Sequence, residues 1–385
     1  MTSRASAVLE LTRELIRRAS VTPEDAGCLD LIEHRLRAVG MRVERRRVGE
    51  VDNLFARHGE SGPHLMLLGH TDVVPPGPLE EWTSPPFEPT ERNGCLFGRG
   101  AADMKSSVAA FVVALEHYLH EQPDHSGIVS LLLTSDEEGP AEHGVRVMVP
   151  WLQDQGLLPD ACLIGEPSSL ETLGDNVRIG RRGSIQAILS VRGRQGHTAY
   201  ADPADNPAHR AGPLLAALGQ LDFEDGDAHF PPTRLQISNV QAGTGAENVT
   251  PGELKVLFNL RNNPNSPADV LEARLRALIE ANDPGPWTLD WRVSGVPFGP
   301  ATGRLPAVVD AVCRSQLGRA PVQDTGGGTS DGRFLGPLGI PCVELGPVNR
   351  TIHRIDECIG LDELERLPGL YHGIIAGYLS GSEEG

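Results

Sequence analysis

Short apolar segments followed directly by acidic or imidazole side chains recur in the first half of this chain. The segments are residues 65–68 before His70 and Asp72, 128–134 before Glu137 and Glu138, and 161–164 before Glu166. Apolar runs of this length are typical of buried strands, and Gly69 after the first run predicts a turn. Because open α/β sheets gather functional side chains at the carboxyl ends of their strands, we expect these residues to share a cleft.

A further carboxylate, Asp103, follows a glycine-rich stretch at residues 98–100. From Val108 to Leu119, apolar residues then recur three and four positions apart, which predicts an amphipathic helix. We therefore expect Asp103 at a junction between a loop and a helix. Taken alone, each of these acidic or imidazole positions has an ordinary explanation as a polar turn, a helix N-cap or a solvated acidic turn.

The shared placement of these residues favours a joint role in binding metal ions. A histidine that binds a cation through one ring nitrogen needs its other N–H held, and we expect the carboxylate of Asp72 to accept it from His70. Nitrogen and oxygen ligands without cysteine suit zinc, cobalt or manganese in a catalytic site. Because so many carboxylates in one cleft would repel one another without cations, we expect two metal ions rather than one.

Composition limits the class of protein and its partners. A chain of 385 residues with 39% hydrophobic residues predicts a globular protein of two domains. The formal net charge of −18 argues against nucleic acid or an anionic membrane as a partner. The six cysteines include no C-x-x-C pair, which favours free thiols in a reducing compartment. We find no membrane span or secretory signal in the sequence and expect a cytoplasmic protein.

The pattern of elements changes near residue 182. Strands are predicted at residues 184–191, 234–240, 253–260 and 287–293, with helices at 206–219 and 267–282. This β-α-β-β-α-β order is typical of a ferredoxin-like α+β domain. An α/β pattern then resumes, with a helix at residues 308–317 and a strand at 341–345. We therefore expect a catalytic domain of residues 1–181 and 295–385, interrupted by an inserted domain of residues 182–294.

Four motifs resemble the M20 metallopeptidase family of di-zinc amidohydrolases. They are Gly69-His70-Thr71-Asp72, Gly98-Arg99-Gly100-Ala101-Ala102-Asp103-Met104-Lys105, Asp136-Glu137-Glu138-Gly139 and Gly165-Glu166-Pro167-Ser168. The resemblance covers nearly the whole chain. It implies a zinc-peptidase-like α/β catalytic domain, with a mixed sheet flanked by helices, and an inserted domain that serves as a lid and for homodimerisation.

The resemblance also implies a role for each candidate residue. It implies two zinc ions per subunit, replaceable by cobalt, with His70 and Glu166 on one, Glu138 and His353 on the other, and Asp103 bridging both. The peptide bond between Asp103 and Met104 is expected to be cis. Glu137 is implied as the general base for a water activated between the ions, and Asp72 as the residue behind His70. His197 is implied to reach across the dimer to the oxyanion.

The implied reaction is hydrolysis of N-succinyl-LL-2,6-diaminopimelate to succinate and LL-2,6-diaminopimelate, a step of lysine biosynthesis. The implied contacts to this dicarboxylate amide come from Arg181, Asn248, Arg261, Gly328 and Thr329. Two alternatives stay open. The first is another N-acyl amino acid deacylase, such as an acetylornithine deacetylase or an aminoacylase. The second is a non-catalytic binding protein of the same fold.

Overall fold

A computed structural model describes residues 6–380 of the chain. Contacts between Cα atoms divide the chain into two compact units. Unit 1 consists of residues 1–180, 299–324 and 330–385, and unit 2 consists of residues 181–298 and 325–329. None of the helices within the described residues is long and apolar enough to cross a membrane.

The strands are short and most lie in unit 1. In chain order they are β1 (Arg42–Val48), β2 (Val51–His58), β3 (His64–His70), β4 (Thr90–Arg92), β5 (Cys95–Phe97), β6 (Ile128–Thr134), β7 (Ala161–Ile164), β8 (Asn176–Arg178), β9 (Ser184–Arg192), β10 (Gly196–His197), β11 (Arg234–Ala242), β12 (Val249–Thr250), β13 (Glu253–Arg261), β14 (Trp287–Gly295), β15 (Val322–Asp324), β16 (Cys342–Glu344) and β17 (Cys358–Gly360).

The α-helices alternate with these strands in unit 1 and cover one face of the larger sheet in unit 2. They are α1 (Ala7–Ile16), α2 (Cys28–Ala38), α3 (Lys105–Glu121), α4 (Val145–Asp154), α5 (Pro207–Arg210), α6 (Gly212–Gly219), α7 (Ala268–Ala281), α8 (Arg304–Leu317), α9 (Gly332–Leu335) and α10 (Leu361–Leu379).

Unit 1 is built on a mixed sheet of eight strands in the order β1-β2-β6-β3-β7-β16-β8-β15. Its centre, β6-β3-β7-β16, is parallel, whereas β1, β2 and the pairing of β16 with β8 are antiparallel. Both faces are covered, because Leu65 and Leu67 of β3 join the main core while Met66 and Leu68 are buried on the opposite face. The main core includes α3, which packs against α1 and α10. The α/β class with a mixed sheet is confirmed.

Unit 2 contains a four-stranded antiparallel sheet in the order β11-β13-β9-β14. In chain order these are the second, third, first and fourth long strands, which is the ferredoxin-like arrangement expected from the β-α-β-β-α-β pattern. Alternate residues of β9 and β13 are buried in a core of their own beneath α6 and α7. The single helix predicted at residues 206–219 is two helices, because α6 begins at Gly212, with Pro213 in its first turn, directly after α5.

Candidate metal centre

The first cluster of ligand-type side chains in unit 1 consists of His70, Asp103 and Glu166. Their ligand atoms all lie within 4.8 Å of one another, and all three residues are buried. Nε2 of His70 is 3.3 Å from Oδ1 of Asp103 and 3.7 Å from Oε1 of Glu166. One imidazole and two carboxylates in this arrangement could hold a metal ion.

The second cluster consists of Asp103, Glu138 and His353, again with ligand atoms within 4.8 Å of one another. Nε2 of His353 is 2.9 Å from Oε1 of Glu138 and 3.4 Å from Oδ2 of Asp103. Asp103 therefore faces the first cluster with one oxygen and the second cluster with the other. The structure brings together all five residues predicted as metal ligands, and their assignment as ligands stays a prediction.

Sheet topology explains why these residues meet. His70 ends β3, Glu138 follows β6, and Glu166 follows β7. Since β3 pairs in parallel with both β6 and β7, the three carboxyl ends lie side by side at one edge of the sheet. Asp103 directly precedes Met104, the N-cap residue of α3, and no side chain caps this helix by a hydrogen bond. The N-cap explanation for Asp103 is therefore wrong.

Two glycines allow the segment carrying Asp103 to approach the strand ends. A Cβ atom on Gly69 or on Gly165 would lie 2.6 Å from Cε of Met104. The bond between Asp103 and Met104 is cis, as the family resemblance implies. The prediction that Gly69 turns the backbone is wrong, because Gly69 and His70 continue β3. The glycine serves close packing against Met104 instead.

Asp72 contacts both His70 and the turn of Glu137 and Glu138, but its hydrogen bonds differ from those expected. Nδ1 of His70 lies 2.9 Å from the main-chain oxygen of Asp72 and 3.6 Å from its Oδ1. The carboxylate of Asp72 instead accepts hydrogen bonds from the main-chain N–H groups of Glu137, at 3.3 Å, and Glu138, at 3.1 Å. Asp72 thus holds the turn that carries both glutamates. Glu137 itself belongs to neither ligand cluster.

The pKa values of the cluster reflect how closely its buried carboxyl and imidazole groups lie. Burial raises the pKa of Glu166 and of Glu137 well above their usual values, and that of Glu138 to a lesser extent. The carboxylates of Asp103 and Glu138 raise the pKa of His353 to about 10. Burial opposes ionisation of Asp103, but the imidazoles of His353 and His70 lower its pKa. The side chains therefore compete for protons.

Two buried atoms fit a bound cation. Nε2 of His70 and Oδ1 of Asp103 are both buried and have no hydrogen-bond partner, although they lie 3.3 Å apart. A buried polar atom without a partner is costly, and a divalent cation would satisfy both atoms and balance the adjacent acids. The donor set of two imidazoles and three carboxylates is suited to zinc, cobalt or manganese.

His197 and Asn248 lie together in unit 2. His197 is in β10 and pairs with Val249 of β12, and the N–H of Thr198 donates a hydrogen bond to the main-chain oxygen of Asn248. Both predicted residues are exposed. Nδ1 of His197 accepts a hydrogen bond from the N–H of Ala199 at 3.1 Å, which leaves Nε2 as the nitrogen that can donate.

Gly328 and Thr329, two of the implied substrate contacts, lie in a glycine-rich loop at residues 326–329 that belongs to unit 2, and Arg181 binds this loop. Nη1 of the buried Arg181 donates to the main-chain oxygens of Gly326, at 2.9 Å, and Gly328, at 3.2 Å. This role of Arg181 in shaping the loop was not predicted. Next to Gly328, Oγ1 of Thr329 is buried without a hydrogen-bond partner.

Arg261, the last residue of β13, has an unpredicted neighbour in Arg182. Burial lowers the pKa of both guanidinium groups, and the charge of Arg261 lowers that of Arg182 further. Nε of Arg182 is buried and lacks a hydrogen-bond partner. A bound anion would relieve the repulsion between these two half-buried guanidinium groups. The Arg181-Arg182 dipeptide was the available signal, but the sequence did not tell which arginine turns toward Arg261.

Comparison with known proteins gives the family of the chain. The profile described as Peptidase family M20/M25/M40 matches residues 66–376. This chain belongs to that family. The succinyl-diaminopimelate desuccinylase of Stenotrophomonas maltophilia (strain R551-3) is 55% identical over 96% of this chain and 98% of its own length. The enzyme of that name from Thioalkalivibrio sulfidiphilus is 52% identical over the same shares.

Solved structures of the family share the fold. An M20 family metallo-carboxypeptidase from Sulfolobus solfataricus superposes with a TM-score of 0.82 at 15% identity, over 98% of this chain and 100% of that one. A dinuclear metal binding peptidase of the M20 family from Bacillus subtilis gives a TM-score of 0.73 at 16% identity, over 97% and 98% of the two chains. At these identities the likeness concerns the fold alone.

Proposed function

We propose that this chain is a metal-dependent amidohydrolase that cleaves N-succinyl-LL-2,6-diaminopimelate into succinate and LL-2,6-diaminopimelate, within lysine biosynthesis. The observation that carries the proposal is the 55% identity over 96% of the chain to a protein named for this activity. Similarity at that level spans both units rather than the metal centre alone.

The cofactors in this proposal are two zinc ions, for which cobalt would substitute. His70 and Glu166 would hold one ion, Glu138 and His353 the other, and Asp103 both. When bound, the two cations would supply positive charge that lowers the pKa of a shared water and stabilises negative charge on the substrate. The unpartnered atoms of His70 and Asp103 support this assignment.

In the reaction, Glu137 is the general base. Its raised pKa suits a carboxylate that takes a proton from water and passes it to the leaving amine. Asp72 fixes the main chain of Glu137 by accepting its N–H, so it positions this base. His197, with Nε2 able to donate a hydrogen bond, would stabilise the oxyanion from the partner subunit of a homodimer.

The substrate is an amide with carboxylates at both ends, so the site needs fixed cations and N–H groups. Arg261 and Arg182 would bind one carboxylate between them, because an anion relieves the repulsion between two half-buried guanidinium groups. Gly328, Thr329 and Asn248 would supply further polar contacts, and Arg181 would keep the loop of Gly328 in shape.

We assign unit 1 as the catalytic domain and unit 2 as the lid and dimerisation domain of a cytoplasmic homodimer. The residues of unit 2 support this assignment. Unit 2 contains the predicted oxyanion histidine and substrate contacts but none of the five candidate metal ligands. This division differs from the sequence-based domains, which are residues 1–181 with 295–385 and residues 182–294, because residues 181, 295–298 and 325–329 belong to unit 2.

The test is a comparison of acyl donors with the purified, zinc-loaded protein. Turnover of N-succinyl-LL-2,6-diaminopimelate should exceed that of N-acetylornithine and other N-acetyl amino acids at equal concentration, and a chelator should abolish it. Arg261→Met and Arg182→Met should raise KM for the succinyl substrate. A preference for an acetyl substrate would replace the proposal by a deacetylase, and a lack of hydrolysis would leave a binding protein of this fold.

A further inference from the structure

Glu357 is a buried carboxylate in unit 1 that the chemistry described so far does not use. It lies four residues after His353 and is 1% exposed. Its Oε2 accepts hydrogen bonds from Nη1 of Arg99, at 2.7 Å, and from the N–H of Gly100, at 3.1 Å. Its Oε1 accepts from the N–H groups of Ala102, at 2.9 Å, and Asp103, at 3.0 Å. One side chain thus binds three N–H groups of the turn that ends at Asp103.

Arg99 extends this cluster to two other segments. Its side chain is 2% exposed, and its Nη1 also donates to the main-chain oxygen of Arg354 at 3.1 Å. Its Nη2 lies 3.4 and 3.5 Å from the main-chain oxygens of Pro75 and Pro76, in the segment that follows Asp72. The pair of Arg99 and Glu357 therefore links the segments after Asp72, before Asp103 and after His353.

The position of the main chain at Asp103 decides the geometry of both ligand clusters. Oδ1 of Asp103 is 3.3 Å from His70, and its Oδ2 is 3.4 Å from His353, so the carboxylate is placed between two imidazoles. Glu357 binds this residue through its main-chain N–H, which fixes the backbone and leaves both carboxylate oxygens of Asp103 available. A carboxylate shared by two ions tolerates little displacement, because a shift toward one ion is a shift away from the other.

We infer that Glu357, held by Arg99, is the positioning residue for the shared ligand Asp103, and that it sets the affinity of both metal positions without contacting an ion. The inference rests on the metal assignment of the proposed function. A carboxylate is needed because all four of its partners donate. A glutamine at this position would turn an NH₂ group toward at least one of these donors and leave Arg99 buried without its counter-charge.

The experiment compares Glu357→Gln with the wild-type protein and with a matched control, Glu363→Gln. Glu363 lies six residues further on in the same unit, is partly buried and accepts a main-chain N–H, from Val348, but contacts none of the candidate ligands. Each full-length protein is stripped of metal and titrated with cobalt(II), with calorimetry for affinity and visible absorption for coordination. Thermal unfolding of the metal-free proteins reports folding separately.

We expect Glu357→Gln to bind both cobalt ions about 10–100-fold more weakly and to change the cobalt absorption spectrum, because outer partners of ligands typically have effects of this size. The variant should lower kcat with little change in KM. Glu363→Gln should bind cobalt like the wild type. Cobalt affinity and spectrum unchanged in Glu357→Gln, or equally changed in Glu363→Gln, would overturn the inference.

If Glu357→Gln does not fold, Arg99→Lys takes its place. Lysine keeps the charge opposite Glu357 but cannot reach the oxygens of Arg354, Pro75 and Pro76 with a planar fork, so cobalt binding should weaken in the same way. Wild-type cobalt binding by a folded Arg99→Lys protein would overturn the inference. The cobalt titrations need no substrate, so they test this inference separately from the proposed function. If the wild type binds two cobalt ions but does not cleave the succinyl amide, the proposed function fails, and this inference is still judged on the cobalt affinity of the variants.

Discussion

At the scale of single residues, position in the fold rather than residue type sets what a side chain contacts. Glu137 and Glu138 are adjacent glutamates, yet one contacts His353 and the other belongs to neither ligand cluster. The sequence indicated this division, because neighbouring side chains point in different directions. It did not indicate Glu357, whose partners Gly100 and Asp103 lie more than 250 positions earlier in the chain.

His64, the first residue of β3, gives a prediction about stability. It is 4% exposed, and its Nε2 lies 2.7 Å from Oγ of Ser130. Burial lowers the pKa of His64 to about 4 in the folded protein, from its ordinary value of 6.5. The unfolded chain therefore binds a proton at a higher pH than the folded one. The stability that His64 contributes is complete above pH 6.5 and is lost as the pH falls through 4.

We expect His64→Gln to remove this part of the pH dependence. Between pH 7.5 and 5, the wild type should lose about 2 kcal/mol more of its free energy of unfolding than the variant. Denaturant unfolding at both values of pH measures the difference. The exposed His34, changed to glutamine, is the matched control and should follow the wild type. Parallel losses in wild type and His64→Gln would contradict the prediction.

At the scale of elements, the apolar patterns of the sequence predicted the longer elements and the buried central strands, but not several other three-residue strands. β6 and β7 have the predicted bounds, and α3 covers the predicted apolar pattern. The three-residue strands β4, β5 and β17 were not predicted, because they form only by pairing in one small sheet, in which β17 is distant in the sequence from the other two. The turn predicted at Gly69 failed for a related reason, since the need for a glycine there arises from Met104.

Gly346, two residues after β16, gives a prediction about elements. A Cβ atom there would lie 2.4 Å from the main-chain oxygen of Glu166 and 2.5 Å from that of Gly165. Main-chain atoms move aside less easily than the end of a flexible side chain. Gly346→Ala should therefore lower the free energy of unfolding by about 1–3 kcal/mol and shift the main chain at Glu166. Denaturant unfolding and cobalt titration measure both effects.

Gly360→Ala is the control for this prediction. The nearest atoms to a Cβ on Gly360 belong to Glu363, at 3.5 Å, which is ordinary van der Waals contact. The control should unfold and bind cobalt like the wild type. If Gly346→Ala also did so, the close approach of the two strand ends would not be required.

At the scale of the whole molecule, our proposal makes catalytic activity depend on a dimer. His197 of one subunit is expected to act at the active site of the other. The proposal predicts that His197→Ala and Glu137→Gln are each inactive alone, while Glu137→Gln still binds two metal ions. Mixed and re-formed dimers should regain activity, because a heterodimer combines one intact Glu137 with one intact His197. At equal amounts, about a quarter of all sites should be active.

Activity assays of the mixture over a range of ratios test this prediction, and His197→Ala mixed with itself is the control. No recovery at any ratio, with subunit exchange verified by a tagged chain, would exclude a histidine supplied in trans. Loss of metal from Glu137→Gln would show instead that Glu137 is a ligand.

The sequence by itself determined the class of fold, the ferredoxin-like order of unit 2 and four of the candidate ligands, because apolar periodicity and the residues at strand ends and helix starts are local properties of the chain. The fifth candidate ligand, His353, was implied by the family resemblance. The tertiary structure alone decided that the carboxylate of Asp72 holds the turn of Glu137 and Glu138, that the charge of Arg261 acts on Arg182, and that Glu357 binds the turn of Asp103. Each of these depends on which distant segments become neighbours, and burial then gives the resulting hydrogen bonds and charges their strength.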